Sequence, residues 1–273
     1  MINKHRKAPA RRQKGVALLT ALLVVALAVT AAVAMALRSQ VDIRRTSAVF
    51  ERDQSRHIAI GGEKMVLQFL ERIDGPDDLL WDTCRSPPLS FSVDGVELQV
   101  TVDNMQCRYN LNALAGADEA EQGYFARLVD QVGAETGAAM PSGAQLALAV
   151  TDWMDPETDD PAYRGAEPAR VSGNRDMLVA SELNSVLGMT SEAWQALAPY
   201  VVAYPGRSSP IDLKRSSDLI KDIFADRPAG EQSPWYMRLE LVAEFGPRRF
   251  YQCSLIDAAN GKVVLREQTA CEP

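Results

Sequence analysis

Residues 14–37 read KGVALLTALLVVALAVTAAVAMAL: a lysine and a glycine, then 22 uncharged residues from Val16 to Leu37 interrupted only by Thr20 and Thr30. At 1.5 Å per residue a helix of that length reaches roughly 33 Å, enough for the hydrocarbon core of a bilayer. Ahead of it stand Lys4, Arg6, Lys7, Arg11, Arg12 and Lys14 with no acidic residue among them. That imbalance holds the leader on the cytoplasmic side and sends the remaining chain across, although Arg38, Arg44 and Arg45 compete at the exit. A cleaved signal peptide is the alternative, because Ala31-Ala32-Val33-Ala34-Met35-Ala36 imitates a small-x-small cleavage site. Against it, the leader is long and basic, the apolar run exceeds a typical signal core, and no turn follows. Helix-compatible sequence continues through Val41, Ile43 and Ile58 to Leu70, with Gly61-Gly62 as the one weak point and no proline before Pro76. One helix, half in the membrane and half beyond it, is the expectation for 16–75.

The body that follows is acidic. The chain of 273 residues has a formal charge of -7, and removing the six basic leader residues from that total leaves -13. Such a surface repels the phosphates of nucleic acid and tolerates cations. Cysteines occur at 84, 107, 253 and 271, two local pairs each closing a loop of roughly 20 residues, and an even count suits an exported chain. Cys84–Cys107 and Cys253–Cys271 are therefore expected disulfides, with buried free thiols as the alternative; no CxxC points to zinc or redox chemistry.

From Phe91 to Val102 apolar and polar residues alternate around Asp94-Gly95, the pattern of a β-hairpin. From Ala117 to about Tyr204 the spacing turns helical. Beyond Pro210 a short polar helix near 218–224 precedes three β segments, Trp235 to Phe245, Arg248 to Ile256 and Lys262 to Glu267, joined by Gly246-Pro247 and Asn260-Gly261 turns. The predicted class is α+β: a long N-terminal helix on a small antiparallel sheet, with a large helical domain inserted between its early and late strands. The divisions fall at 1–15, 16–75, 76–110, 111–215 and 216–273.

Oxygen donors crowd one Pro-containing loop: Asp152, Asp155, Glu157, Asp159 and Asp160, with Glu167 following. Calcium takes six to eight oxygens and accepts irregular loops, so a calcium site is one reading and a solvated acidic loop the other. The loop is no EF-hand, lacking that motif's glycine and terminal glutamate. Catalysis has little to work with, since His5 and His57 are the only histidines and both precede the body; the chain is not expected to be an enzyme. The segment 182–200 has the outline of a helix-hairpin-helix, but Asn184 and Glu192 flank its turn where a phosphate binder would place basic residues. Trp153, Trp194 and Trp235 are read as core rather than interface.

The basic leader, Lys14-Gly15, Val16-Ala17-Leu18-Leu19 and the continuing helix together resemble the class III signal of type IV pilins and type II secretion pseudopilins. That resemblance implies cleavage by a prepilin peptidase between Gly15 and Val16 and methylation of the new terminus. Most members carry Glu as the fifth mature residue; here it is Thr20. Within the family, loss of that Glu and a larger body mark the K-class minor pseudopilins. Arg108-Tyr109-Asn110-Leu111-Asn112 resembles their FNLN segment, Val150-Thr151-Asp152-Trp153-Met154-Asp155 their LxDWxD segment, and Ser181-Glu182-Leu183 with Leu197-Ala198-Pro199-Tyr200-Val201 their SEL…LxPYV segment. Ile211-Asp212-Leu213-Lys214 departs from their INxN. The resemblance implies a periplasmic body anchored in the inner membrane, at the tip of the secretion pseudopilus, and calcium in the helical domain. Its partners would be two smaller minor pseudopilins of the I and J classes, with the outer-membrane secretin and secreted substrates as further contacts and no nucleic acid. Val16, Thr20, Asp42 and Ile43 would face neighbouring helices. A membrane-tethered binding or adhesin module is the alternative.

Overall fold

The computed structural model describes residues 14–73, 75, 79–93, 95–156, 161–227, 235–245 and 248–272. One unbroken helix, α1, runs Lys14–Leu70, and two compact units divide it: one holds residues up to 54, the other begins at Ser55 and contains everything after. The helix persists because the stretch lacks proline and is rich in Ala and Leu, the best helix formers.

In the second unit, strands β1 (Leu89–Val93) and β2 (Val96–Asn104) form the expected hairpin, with Gly95 at φ +79° in the turn. Strands β5 (Tyr236–Phe245), β6 (Arg248–Asp257) and β7 (Lys262–Glu267) form the expected meander. Together they make a five-stranded antiparallel sheet in the order β1-β2-β5-β6-β7. Alternation decides which residues enter the core. Leu98, Val100 and Val102 lie opposite Ala243, Leu241 and Leu239, and Met237 lies opposite Ile256. This row packs in one core with Ala59, Val66 and Leu70 of α1. At Gly62 the helix lies close against the sheet, since a Cβ there would stand 2.8 Å from Leu241 Cδ2 and 2.9 Å from Leu98 Cδ2. The weak point of the sequence is thus a contact point of the fold.

Between β2 and β5 the chain builds a second core. Helix α2 (Glu119–Thr136) starts at Asp118, whose Oδ1 accepts from the amides of Ala120 and Glu121, and stops at Gly137 with φ +69°. Helix α3 (Gly143–Met154) is capped from its neighbour, the amide of Gly143 donating to Asp130 Oδ1 at 2.8 Å. A side chain at 143 would collide with the carbonyl of Ala126, so this glycine sets how closely α2 and α3 approach. Further on come α4 (Pro161–Arg164), a 3-10 turn at Ala180–Ser185, α5 (Ser191–Leu197) and α6 (Asp218–Phe224). Phe125, Leu128, Val132, Leu146, Leu183 and Phe224 form the heart of this core. Tyr109 stacks on Phe224 at 5.8 Å, and Phe224 on Tyr124 at 5.4 Å.

Helix α6 differs from its reading as a polar helix accompanying the returning strands. Leu219, Ile220, Ile223 and Phe224 face the helical core, while Asp218, Lys221 and Asp222 supply the polar impression. A short parallel pair, β3 (Tyr109–Asn110) with β4 (Val201–Val202), closes the insert at its base. There Met105, Val202, Tyr204, Tyr236 and Leu255 join insert to sheet.

Both disulfides are present, with Cα–Cα separations of 5.8 Å for Cys84–Cys107 and 5.0 Å for Cys253–Cys271. Trp153 and Trp235 are buried in the two cores, and Trp194 packs half-buried against the helical one.

Candidate functional site

The features with functional promise are the free face of α1, the acidic loop after α3, and the asparagine braces at the base of the insert. In the first unit Val16, Thr20, Asp42 and Ile43 are all exposed, as is the whole apolar run. The two hydroxyls in that run are spent locally: Thr20 Oγ1 donates to the Ala17 carbonyl at 3.0 Å and Thr30 Oγ1 to that of Leu27 at 2.9 Å. A segment bathed in hydrocarbon must satisfy its polar groups within itself in this way. The Gly15–Val16 bond falls in the first turn of α1.

The acidic loop is reached from α3. Asp152 occupies the last turn and Asp155 the C-cap, whose amide donates to the carbonyls of Thr151 and Asp152. Both side chains are exposed, at the end of the helix where the macrodipole is negative and the last turn holds no basic residue. Glu167 is exposed beyond α4. Glu157, Asp159 and Asp160 lie outside the described residues. Among the described residues no group of three or more His, Cys, Asp or Glu stands close enough to hold a metal. The loop's two stems are fixed: Trp153 packs on Tyr163 at 5.3 Å, the backbone of Gly173 lies against the indole, and the Asn174 amide donates to the Trp153 carbonyl at 2.9 Å.

Asn110 and Asn112 are wholly buried. Asn110 Nδ2 donates to the carbonyls of Gly206 and Ser208, each at 3.0 Å, and its Oδ1 accepts from the amide of Tyr204 at 3.1 Å. Asn112 Nδ2 donates to the carbonyls of Met177 and Tyr204, each at 2.9 Å, while its Oδ1 accepts from the Met177 amide at 2.8 Å. Two side chains thereby tie two distant segments, at 177 and at 204–208, to the stretch 110–112. Asp212 gives the departure from INxN its own solution: its carboxylate accepts from Asn104 Nδ2 at 2.9 Å and from Arg215 Nη1 at 3.0 Å.

Charge is managed with equal care. Buried Glu63 of α1 accepts from Ser254 Oγ at 2.7 Å, Gln252 Nε2 at 3.1 Å and Arg266 Nε at 2.9 Å, which raises the Arg266 pKa and bolts α1 to β6 and β7. Glu121 is partly buried between Tyr109 and Arg227; desolvation raises its carboxyl pKa above the ordinary value, with Arg227 pulling the other way. Burial, reinforced by Glu121, pushes the Tyr109 phenol far up, and burial lowers the Arg108 guanidinium against the pull of Asp103. Glu63 escaped the sequence reading because a lone acid on a helix of mixed charge carries no periodic signal. Glu192 and Thr190, in the helix-hairpin-helix outline, accept from the amides of Ala139 and Ala193. That segment's polar groups serve packing and capping.

The geometry defines a class: a pilin-type α+β protein whose long apolar helix extends onto an antiparallel sheet carrying a helical insert. Residues 107–206, from Cys107 through the insert, match the family model of type II secretion system protein K. The chain belongs to the type II secretion system protein K family. It is 31% identical over 209 residues to type II secretion system protein K of Klebsiella pneumoniae, covering 70% of this chain and 63% of that one. Against the Aeromonas hydrophila protein of the same name it is 32% identical over 219 residues, covering 71% and 65%. The chain thus spans a little under two thirds of the length of these relatives. A chain of the crystal structure of the GspK-GspI-GspJ complex from enterotoxigenic Escherichia coli shares the fold, with a TM-score of 0.68 at 17% identity over 83% of this chain and all of that one.

Proposed function

We propose that this chain is a minor pseudopilin seated at the tip of the type II secretion pseudopilus. Its N-terminal helix packs with those of two smaller minor pseudopilins of the I and J classes, nucleating the filament that exports folded proteins across the outer membrane. The helical insert caps the tip and limits growth beyond it, and offers a surface to the secretin and to outgoing substrates. The body lies in the periplasm and the run Val16 to Leu37 in the inner membrane.

The observation that carries this reading is Thr20 within α1. A tip subunit has no neighbour above it whose terminal amine would need a buried carboxylate, and here the hydroxyl is satisfied by its own helix. The complex formed by the structural neighbour, and the membrane-length helix at the N-terminus, support the choice of partners and anchor. Calcium bound through Asp152, Asp155 and Glu167, together with Glu157, Asp159 and Asp160, completes the insert.

The deciding experiment is the N-terminal mass of the protein from membranes of cells with and without prepilin peptidase. A methylated terminus at Val16 that appears only with the peptidase supports assembly. A terminus at Met1, or after Ala36, in both strains replaces it with a tethered or secreted binding module.

A further inference from the structure

The unexplained feature of the first unit is basic charge on the wrong side of the membrane. Arg38 follows Leu37 directly, and Arg44 and Arg45 come roughly 9–10 Å further along the helix axis. Arginines on the translocated flank oppose the charge rule that orients the chain. All three are exposed. Asp42 is the only acid from residue 16 to residue 50, and among the described residues no carboxylate reaches ion-pair distance of any of the three.

Resting on the reading that Val16 to Leu37 spans the bilayer, we propose that Arg38, Arg44 and Arg45 form a seat for anionic phospholipid headgroups in the leaflet facing the exported body. The headgroup layer is roughly 5–8 Å deep on each side of the hydrocarbon, so Arg38 stands inside it. Helical side chains lean toward the helix N-terminus, which here is toward the membrane, and long arginine stems extend further in that direction. Arg44 and Arg45 therefore bring their guanidinium groups back to the same layer. Planar forks matched to phosphate oxygens meet a surface of diester phosphates, and the lipid supplies the countercharge that the chain does not. Arg38 and Arg45 lie seven residues apart and so share a helix face, while Arg44 points away from it, so the seat takes headgroups from two sides.

The test offers the purified full chain, in mixed micelles, equal amounts of phosphatidylglycerol and phosphatidylcholine, and weighs the lipid that stays bound after gel filtration. Wild type should retain phosphatidylglycerol about fivefold or more over phosphatidylcholine, the effect of a single basic residue at an anionic surface. The excess should shrink with salt. In the triple variant Arg38→Gln, Arg44→Gln, Arg45→Gln, with its disulfides intact, the ratio should fall severalfold, to what the basic leader alone retains. An unchanged ratio in that variant assigns the selectivity to the basic leader and overturns the proposal, as does equal retention by wild type. A chain that takes up neither lipid defeats the anchor reading itself, which separates the two failures.

Discussion

Asn112 makes three buried hydrogen bonds to backbone groups that have no water to turn to, and the segments it joins, 112, 177 and 204, share no secondary structure. Replacing it by Ala orphans two carbonyls and an amide, each at about 1–3 kcal/mol. Asn112→Ala should cost about 3 kcal/mol or more in urea unfolding of the detergent-solubilised chain, whereas a loss under 1 kcal/mol would mean that the brace is redundant. Glu121 allows a test by pH. Its folded-state pKa is raised, mainly by desolvation, so the folded chain holds this proton more tightly than the unfolded one. Its contribution is therefore complete below the ordinary glutamate value of 4.5 and is lost as pH rises from there through the raised value. Glu121→Gln should flatten the fall of the urea midpoint over that window; the same slope in both proteins would remove Glu121 as its source. The sequence named Asn110 and Asn112 only through a resemblance. Their physical task is illegible there, because partners 65 to 98 residues away leave no local pattern.

Periodicity explains why some elements were visible in advance and others were not. The hairpin and the meander alternate with period two, and their observed bounds fall within a few residues of those expected. Helix α6 stands where the sequence places it, at Asp218–Phe224, but charges at 218, 221 and 222 mask the apolar face formed by Leu219, Ile220, Ile223 and Phe224. The paired glycines of α1 show the same limit in sharper form. Sequence treats them alike, but a Cβ at Gly61 meets nothing within 4 Å and one at Gly62 meets two core leucines. Gly61→Ala should stabilise by up to ~1 kcal/mol through helix propensity. Gly62→Ala should destabilise by about 1–3 kcal/mol through overpacking, and thermal unfolding of the two variants side by side would expose any error in the helix–sheet spacing. For the loop after α3, added calcium at a hundredfold excess over its dissociation constant should raise stability by about 2.7 kcal/mol. Chelation should reverse the gain and Asp155→Asn reduce it; an unfolding midpoint indifferent to calcium returns the loop to solvent.

At the scale of the molecule, one chain carries two separately built cores joined through a small cluster at the base of the insert. The tail reinforces that joint: the Cys271 amide donates to Glu240 of the sheet, and Glu272 accepts from the Ser181 amide of the insert. The α+β order was readable from the succession of periods along the chain. The docking of insert on sheet was not, since it depends on Tyr204 and Tyr236 meeting at 4.9 Å from opposite ends of a long excursion. The placement of the disulfides has a consequence of a different kind. Cys84–Cys107 encircles β1 with its hairpin partner, and Cys253–Cys271 encircles β7, so each covalent ring contains one outermost strand of the sheet. Outermost strands are where a sheet recruits or surrenders strands to another copy. Neither border can peel away far enough to be traded, however many copies crowd together. Substituting all four cysteines by serine should therefore do more than lower stability: on concentration it should yield intertwined dimers by light scattering, and a variant that stays monomeric would show that the borders need no such locks.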